Sequence, residues 1–303
     1  MRPKLEDHNK RIALARKSLD GLSLGDAFGQ RFFGNPESAA RRIAARSFPT
    51  GILRYTDDTV MALSIVDVLN QFGYIEQNEL AKLFAIRFKK DPMRGYGGTA
   101  FDILERIGEG EQWQGVSREA FEGNGSMGNG AAMRSGPIGA YYYGNKRLTA
   151  ENARLSAEVT HAHNEGQAGA IAVAMAACHF ASGGNEIDLF DAVLEFMPSS
   201  ETKDGIQQAA KIRSVENASI AARRLGSGSK VLSQDTVPFC IWCASRSARD
   251  FKDALWTTVA GLGDRDTTCA IVGSIVASKN EIEIPIDWFT ARETFDVFKI
   301  VNA

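Results

Sequence analysis

The chain has 303 residues, of which 44% are hydrophobic and 24% are charged, and its formal net charge is −2 at pH 7. This composition is typical of a folded globular protein, and the near-neutral charge argues against non-specific binding to nucleic acid or anionic membranes. The N-terminus is polar, without the apolar core of a signal peptide, and no apolar run is long enough to span a membrane. We therefore expect a cytoplasmic protein with no membrane partner.

Helical periodicity dominates the chain. Apolar residues recur at helical spacing, whereas no segment shows the alternation of a strand or the rhythm of βαβ units. The stretch from 155 to 180 is rich in Ala and is apolar on nearly all faces between Ala168 and Ala177, which is typical of a central, buried helix. We predict an all-α fold with roughly a dozen helices, in a single domain over residues 1–303. The predicted helical segments are 11–24, 60–72, 80–88, 155–180, 187–196, 206–225, 236–244, 251–259 and 267–277.

Two short acidic clusters stand at the start of apolar helical segments that lie far apart in the chain. The first is Thr56-Asp57-Asp58-Thr59 and the second is Asp264-Arg265-Asp266-Thr267. Helix capping explains either cluster alone, because Thr and Asp are favoured N-caps and acidic residues complement the helix dipole. A cap needs only one acceptor, however, and hard divalent cations take several carboxylate and hydroxyl oxygens. If the fold brings the clusters together, their composition suits a paired Mg²⁺ or Mn²⁺ site.

Glycine-rich loops separate several of the helical segments. The loop Gly128-Asn129-Gly130 would let backbone N–H groups approach a diphosphate with no Cβ in the way, although most such loops are simple turns. Gly226-Ser227-Gly228-Ser229 has the composition of a linker, and we predict that it only joins two helices. Cys240-Ile241-Trp242-Cys243 has no second CxxC to accompany it, which favours a reduced core helix over a zinc site.

Six motifs follow one another along nearly the whole chain. They are Gly21–Gly29 (GLSLGDAFG), Tyr55–Thr59 (YTDDT), Gly128–Arg134 (GNGAAMR), Thr160-His161, Gly263–Ile271 (GDRDTTCAI) and Ile284–Trp288 (IPIDW). In this order they resemble the ADP-ribosylglycohydrolase family, the group that includes the dinitrogenase reductase-activating glycohydrolase. The resemblance implies one large orthogonal helical domain and two divalent cations, Mg²⁺ or Mn²⁺, as cofactors. It also implies hydrolysis of the bond between ADP-ribose and an acceptor.

The resemblance also assigns roles to the residues that match the family motifs. The implied metal ligands are Thr56, Asp57, Asp58, Asp264, Asp266 and Thr267. The implied substrate-binding residues are Asn129, Gly130, Ala131, Met133 and His161. The implied catalytic residues are Asp57, Asp58 and Asp266. We further expect Arg134 to hold its loop in place, Asp26 to brace the first loop or the metal ligands, and His163 to be structural.

Two positions depart from the family pattern. Phe33 stands seven residues after Asp26, where many members carry a Glu that ligates metal or gates the site. Arg265 separates two acidic residues, and it either pairs with an acid, meets a substrate phosphate or faces solvent. The departure at Phe33 bears on the gating of the site and on the acceptor that the protein takes.

Three functions stay open from the sequence. The first is a hydrolase of ADP-ribosyl-arginine on protein, and the second is a hydrolase of serine-linked, nucleic-acid-linked or O-acyl ADP-ribose. The third is a non-catalytic ADP-ribose-binding or structural protein of the same fold. The retained acidic residues favour the first two, because a structural protein has no reason to concentrate that repulsion. The expected partner is an ADP-ribosylated protein or a small-molecule ADP-ribose conjugate, with nucleic acid only as a modified substrate.

Overall fold

The computed structural model describes residues 7–212 and 216–295, and these residues form a single all-helical domain. The expected all-α fold is confirmed, since these ranges contain no β-strand and only two isolated backbone bridges. Two 3-10 helices cover Gln30–Phe32 and Asn129–Ala131. The α-helices are α1 His8–Gly29, α2 Pro36–Ala44, α3 Asp57–Phe72, α4 Gln77–Lys90, α5 Gly98–Gly108, α6 Trp113–Glu119, α7 Gly136–Tyr141, α8 Lys146–Glu158, α9 Asn164–Ala181, α10 Leu189–Leu194, α11 Glu201–Ala209, α12 Ala218–Leu225, α13 Ser233–Ser247, α14 Phe251–Val259, α15 Arg265–Ala277 and α16 Ile286–Ala291.

Parts of two predictions fall on residues outside this description. The predicted helix 206–225 crosses residues 213–215, and the described chain on either side forms two separate helices, α11 and α12. The predicted domain of 1–303 extends at both ends beyond the described residues. Within the described chain, no helix combines the length and the apolar character that crossing a membrane would require.

Helices α1 and α15 pack with their backbones almost touching. A Cβ atom built on Gly25 would lie 2.1 Å from the carbonyl oxygen of Cys269, and one built on Gly29 would lie 2.1 Å from that of Arg265. Residues four apart lie on one face of a helix, so these glycines form a flat stripe along α1. The stripe explains the first glycine-rich motif, and it places the end of α1 beside the start of α15.

The long segment predicted from 155 to 180 is central but not continuous. Helix α8 ends at Glu158 and α9 begins at Asn164, so the prediction of one uninterrupted stretch is wrong. A new helix begins after the break. At its start the Nδ1 atom of His163 accepts a hydrogen bond from the backbone N–H of Glu165 at 3.1 Å. His163 is therefore an N-cap, the structural role expected for it. Helix α9 itself is buried over most of its length and packs against α7, α8, α13 and α15.

Candidate active site

The fold brings the two acidic clusters together with a third acid from α1. Carboxylate oxygens of Asp26, Asp58 and Asp266 all lie within 4.8 Å of one another. Asp57 and Asp264 line the same cleft as Asp58 and Asp266. The first turns of α3 and α15 thus meet at the end of α1, and their acidic side chains face one space.

The N-cap residues of α3 and α15 do not cap these helices with their side chains. Thr56 is the N-cap residue of α3, yet its hydroxyl lies 2.9 Å from Asp26 Oδ1 and 3.0 Å from Asp58 Oδ2. Asp264 is the N-cap residue of α15, and its Oδ2 atom accepts a hydrogen bond from Asn129 Nδ2 at 2.8 Å instead. Because a hydroxyl has a single proton, Thr56 can donate to only one of its two carboxylates at a time. Capping therefore does not account for Thr56 and Asp264.

Asp26 braces the start of α3. Its carboxylate is fully buried and accepts hydrogen bonds from the backbone N–H groups of Thr56 and Thr59 at 2.9–3.2 Å. The hydroxyls of the same two residues approach it to 2.9 and 2.5 Å. Burial raises the pKa of Asp26 to about 6, although these hydrogen bonds oppose the shift. With its oxygens already engaged, Asp26 supports the neighbouring carboxylates rather than offering free ligand atoms.

The other carboxylates are buried and repel one another. Burial, reinforced by the charge of Asp26, raises the pKa of Asp57 to about 7. Burial and the neighbouring acids raise the pKa of Asp58 and of Asp266 well above the usual range. Asp58 Oδ1 is buried without a hydrogen-bond partner among the described residues. A buried carboxylate oxygen left unpaired is costly, and a concentration of such oxygens is the donor set that hard divalent cations prefer. These residues therefore fit a metal centre.

The acidic residues form one wall of a cleft of about 540 Å³. Nine of the predicted site residues line it, namely Asp57, Asp58, Asp264, Asp266, Thr267, Asn129, Gly130, Met133 and His161. Thr56 lies behind the acids, where its hydroxyl contacts Asp26 and Asp58. Ala131 is fully buried, and its side chain packs with Ala157 and Ala170 in a small apolar cluster. Its side chain therefore belongs to the core, not to the cleft wall.

A second wall of the cleft is built around His161. A Cβ atom built on Gly130 would lie 3.1 Å from His161 Cε1, and one built on Gly128 would lie 3.2 Å from His161 Nε2. The two glycines thus leave room for the imidazole between them. His161 Nδ1 lies 2.7 Å from the hydroxyl of Thr160. Burial, together with the nearby charge of Arg134, lowers the pKa of His161 to about 3, so the ring is neutral.

Arg134 holds this wall together, as expected. Its Nη1 atom donates to the Gly130 carbonyl at 3.0 Å, and its Nη2 atom donates to the Ser156 carbonyl at 3.0 Å and to Thr160 Oγ1 at 2.9 Å. The guanidinium stacks on the ring of Phe84, 4.7 Å from its centroid. These bonds tie the Gly128–Gly130 loop to the end of α8 and to the residue that contacts His161.

The linker-like segment between α12 and α13 does more than join them. Ser227 accepts a hydrogen bond from the backbone N–H of Asp264 at 3.0 Å, and a Cβ atom on Gly228 would lie 2.6 Å from the Cβ atom of Asp264. The carbonyl of Val231 accepts from the backbone N–H of Asn129 at 3.1 Å. The prediction of a plain linker is wrong, because the segment packs between the acidic wall and the glycine loop.

Several cleft residues were not identified from the sequence. The start of α5, from Gly97 to Ile103, lines the cleft, as do Phe121 and the run Lys230–Leu232. Their sequences carry no functional motif. The sequence signal available for this part of the cleft was the glycine-rich run that begins at Gly95. In the structure Gly95 lies close to the acids, and a Cβ atom built on it would lie 3.4 Å from Asp57 Oδ1.

Phe33 and Arg265, the two departures from the family pattern, contact each other. The guanidinium of Arg265 lies 5.1 Å from the centroid of the Phe33 ring, an arrangement that permits a cation–π interaction. In the described part of the chain, Arg265 forms no ion pair with either neighbouring acid. Neither residue lines the cleft, and 43% of Phe33 is exposed. A half-exposed aromatic ring in contact with a guanidinium thus occupies the position at which the family pattern leads one to expect a carboxylate.

Comparison with known proteins agrees with this architecture. The family model for ADP-ribosylglycohydrolase matches residues 7–301. The chain is 30% identical to the ADP-ribosylhydrolase ARH3 of Xenopus tropicalis, covering 94% of this chain and 92% of that protein. It is 28% identical to the Homo sapiens ADP-ribosylhydrolase ARH3, over 82% of this chain and 77% of that one. A solved structure described as an ADP-ribosylglycohydrolase-related protein complex shares the fold, with a TM-score of 0.63, 21% identity and 94% of each chain covered. The chain therefore belongs to the ADP-ribosylglycohydrolase family.

Proposed function

We propose that the protein hydrolyses the bond between ADP-ribose and a modified acceptor, with two divalent cations held between α3 and α15. The observation that carries the proposal is the convergence of buried carboxylates on one wall of a cleft, including Asp58 Oδ1, which has no hydrogen-bond partner among the described residues. The glycine loop and a neutral His161 form a second wall. Family membership supports the release of ADP-ribose as the reaction.

The proposed metal ligands are Thr56, Asp57, Asp58, Asp264, Asp266 and Thr267. Mg²⁺ or Mn²⁺ bound there would hold vicinal ribose hydroxyls and supply an activated water. Thr56 supports this role, because a hydroxyl that donates its one proton to a carboxylate still has lone pairs for a cation. Asp26 orients these ligands through its bonds to Thr56 and Thr59.

The chain's own carboxylates would act on the sugar. Glycosidic cleavage passes through an oxocarbenium-like state with positive charge at the anomeric carbon. Asp57, Asp58 and Asp266 are the proposed catalytic residues, because their carboxylates face the cleft and can stabilise that charge or position the attacking water. The hydrogen bond from Asn129 to Asp264 keeps the metal wall and the substrate loop in register.

The ADP-ribose would lie against the wall formed by the glycine loop and His161. Asn129, Gly130, Met133 and His161 line it, and the imidazole can form a hydrogen bond with substrate in its neutral form. Ala131 can contribute only through its backbone, because its side chain is packed in the core.

The proposed acceptor is an arginine side chain on a protein in the cytoplasm, with a small-molecule ADP-ribose conjugate as the other kind of partner. Serine-linked, nucleic-acid-linked and O-acyl ADP-ribose are the alternatives. Phe33 bears on this choice, since a ring replaces the carboxylate expected at that position. A non-catalytic ADP-ribose-binding protein is the candidate of another class.

A substrate panel tests the proposal directly. Purified protein would be incubated with arginine-, serine-, nucleic-acid- and O-acyl-linked ADP-ribose, and released ADP-ribose would be quantified. We expect turnover of one class, loss of turnover with EDTA, and recovery with Mg²⁺ or Mn²⁺. If the metal-loaded protein binds ADP-ribose but releases it from none of these substrates, the binding-protein alternative replaces the hydrolase.

A further inference from the structure

The proposed substrate raises a problem of charge that the residues discussed so far do not solve. The diphosphate of ADP-ribose is an anion, and it must enter a cleft whose wall already carries four aspartates. The proposed cations would offset those aspartates. Of the residues that line the cleft in the described chain, the basic ones are Arg134 and Lys230, while His161 is neutral.

Arg134 is not available to a ligand. It is fully buried, and both of its Nη atoms already donate hydrogen bonds to Gly130, Ser156 and Thr160. Turning the guanidinium toward a diphosphate would break the contacts that hold the glycine loop and His161. Arg134 can therefore contribute a fixed positive field but no direct contact.

Lys230 is available. Its side chain is exposed at the cleft, and it has no hydrogen-bond or ion-pair partner among residues 7–212 and 216–295. Its ammonium is a compact point charge on a flexible stem, with three donors that suit phosphate oxygens. Lys230 therefore brings a positive charge to a cleft lined by four aspartates, and among the described residues that charge is not paired with any of them.

The backbone that carries Lys230 is held in a rare conformation. The N–H of Lys230 donates to Asp235 Oδ2 at 2.8 Å, and the N–H of Val231 donates to the Gly228 carbonyl at 2.8 Å. Val231 has a φ of 58°, in the left-handed region that a β-branched residue rarely adopts. Such strain persists only where surrounding contacts impose it. The bond from Asn129 to the Val231 carbonyl is one of these contacts, and it fixes Lys230 beside the substrate loop.

We infer that Lys230 is a further substrate-binding residue, which contacts the diphosphate of ADP-ribose. The inference rests on the proposed function and names a specificity determinant within it. Lys230 favours ligands that carry a diphosphate over nucleosides that lack one. The attraction is electrostatic, so it weakens as salt rises.

Calorimetry with two ligands tests this role. ADP-ribose and adenosine would be titrated into the Mg²⁺-loaded wild type, Lys230→Met, Lys230→Arg and Lys89→Met. Lys89 is an exposed lysine outside the cleft, so its substitution makes the same change in net charge without touching the site. We expect Lys230→Met to weaken ADP-ribose binding about tenfold, which corresponds to ~1.4 kcal/mol, and to flatten its dependence on salt. Lys230→Arg should restore most of the affinity, and Lys89→Met should match wild type.

Three results would overturn the inference in different ways. If Lys230→Met binds ADP-ribose as tightly as wild type, with the same dependence on salt, Lys230 does not contact the diphosphate. If adenosine binding falls by the same factor, the substitution has disturbed the loop instead. If wild type does not bind ADP-ribose, the proposed function fails together with the inference. In the first two cases the proposed function stands.

Discussion

Two helix starts in this protein use the same residue types for different purposes. At the start of α14, the exposed Asp250 accepts a hydrogen bond from the backbone N–H of Asp253 at 2.7 Å and caps its helix. At the start of α3, Thr56 is the N-cap residue but makes no cap bond, and the two acids that follow it are buried. Their side chains contact Asp26 or face a cleft.

The difference shows that composition at a helix start does not reveal the role of its acids. An exposed acid is satisfied by the nearest backbone N–H and by water, so capping is sufficient at α14. A buried acid must find partners in the tertiary structure, and Asp58 Oδ1 has none among the described residues. Four predictions test this comparison, from the largest expected effect to the smallest.

Asp58→Asn should abolish function without damaging the fold. The variant loses a charged ligand from the proposed centre, and we expect release of ADP-ribose to fall about 10³-fold or more. Its melting temperature without metal should equal or exceed that of wild type, because the substitution removes a buried charge that its neighbours repel. Turnover assays and thermal unfolding with EDTA measure the two effects. A variant that is destabilised yet fully active would mean that Asp58 is only a cap.

Divalent cations should stabilise the folded protein through the acids of α3 and α15. A ligand that binds only the native state, at one hundred times its Kd, adds about 2.7 kcal/mol to the free energy of unfolding. We expect the melting temperature of wild type to rise with Mg²⁺ or Mn²⁺, and that of Asp58→Asn to rise much less. An equal rise in the melting temperature of both proteins would mean that the cations bind at another site.

Gly130→Val should weaken the binding of ADP-ribose without weakening the binding of metal. A Cβ atom at this position already lies 3.1 Å from His161, so a branched side chain would displace the imidazole and block approach to the loop backbone. We expect ADP-ribose affinity to fall about tenfold or more, roughly 1.4 kcal/mol, while the effect of Mg²⁺ on the melting temperature persists. His161→Ala should lose less affinity than Gly130→Val. Unchanged affinity in both variants would remove ADP-ribose from this wall.

Asp250→Ala should have the smallest effect and only on stability. Loss of an N-cap typically costs about 1 kcal/mol of stability. Chemical denaturation should therefore show that the free energy of unfolding falls by about this amount. Turnover and metal binding should match wild type, because Asp250 lies outside the cleft. A loss of metal binding in this variant would erase the distinction between the two helix starts.

Local sequence determined most of the helices. The predicted segment 251–259 matches α14 residue for residue, and 267–277 matches all but the first two residues of α15. Apolar periodicity succeeds there because each helix buries one face over several turns. It failed at 155–180, where the chain forms two helices, α8 and α9, and the side chain of His163 caps the second of them. It also missed short helices such as α6, which span too few turns for a period to emerge.

What the sequence by itself determined is the list of chemical groups: two acidic helix starts, a glycine loop, a histidine after a threonine, and an order that resembles one family. Only the tertiary structure decided which groups meet. In the folded chain Asp26 accepts hydrogen bonds from Thr56, and Asn129 donates one to Asp264. The side chain of Ala131 packs in the core, and the loop before Lys230 packs against the site. The physical reason is that hydrophobic periodicity reports which face of a helix is buried, whereas hydrogen bonds between residues more than a hundred positions apart form only after the helices have packed.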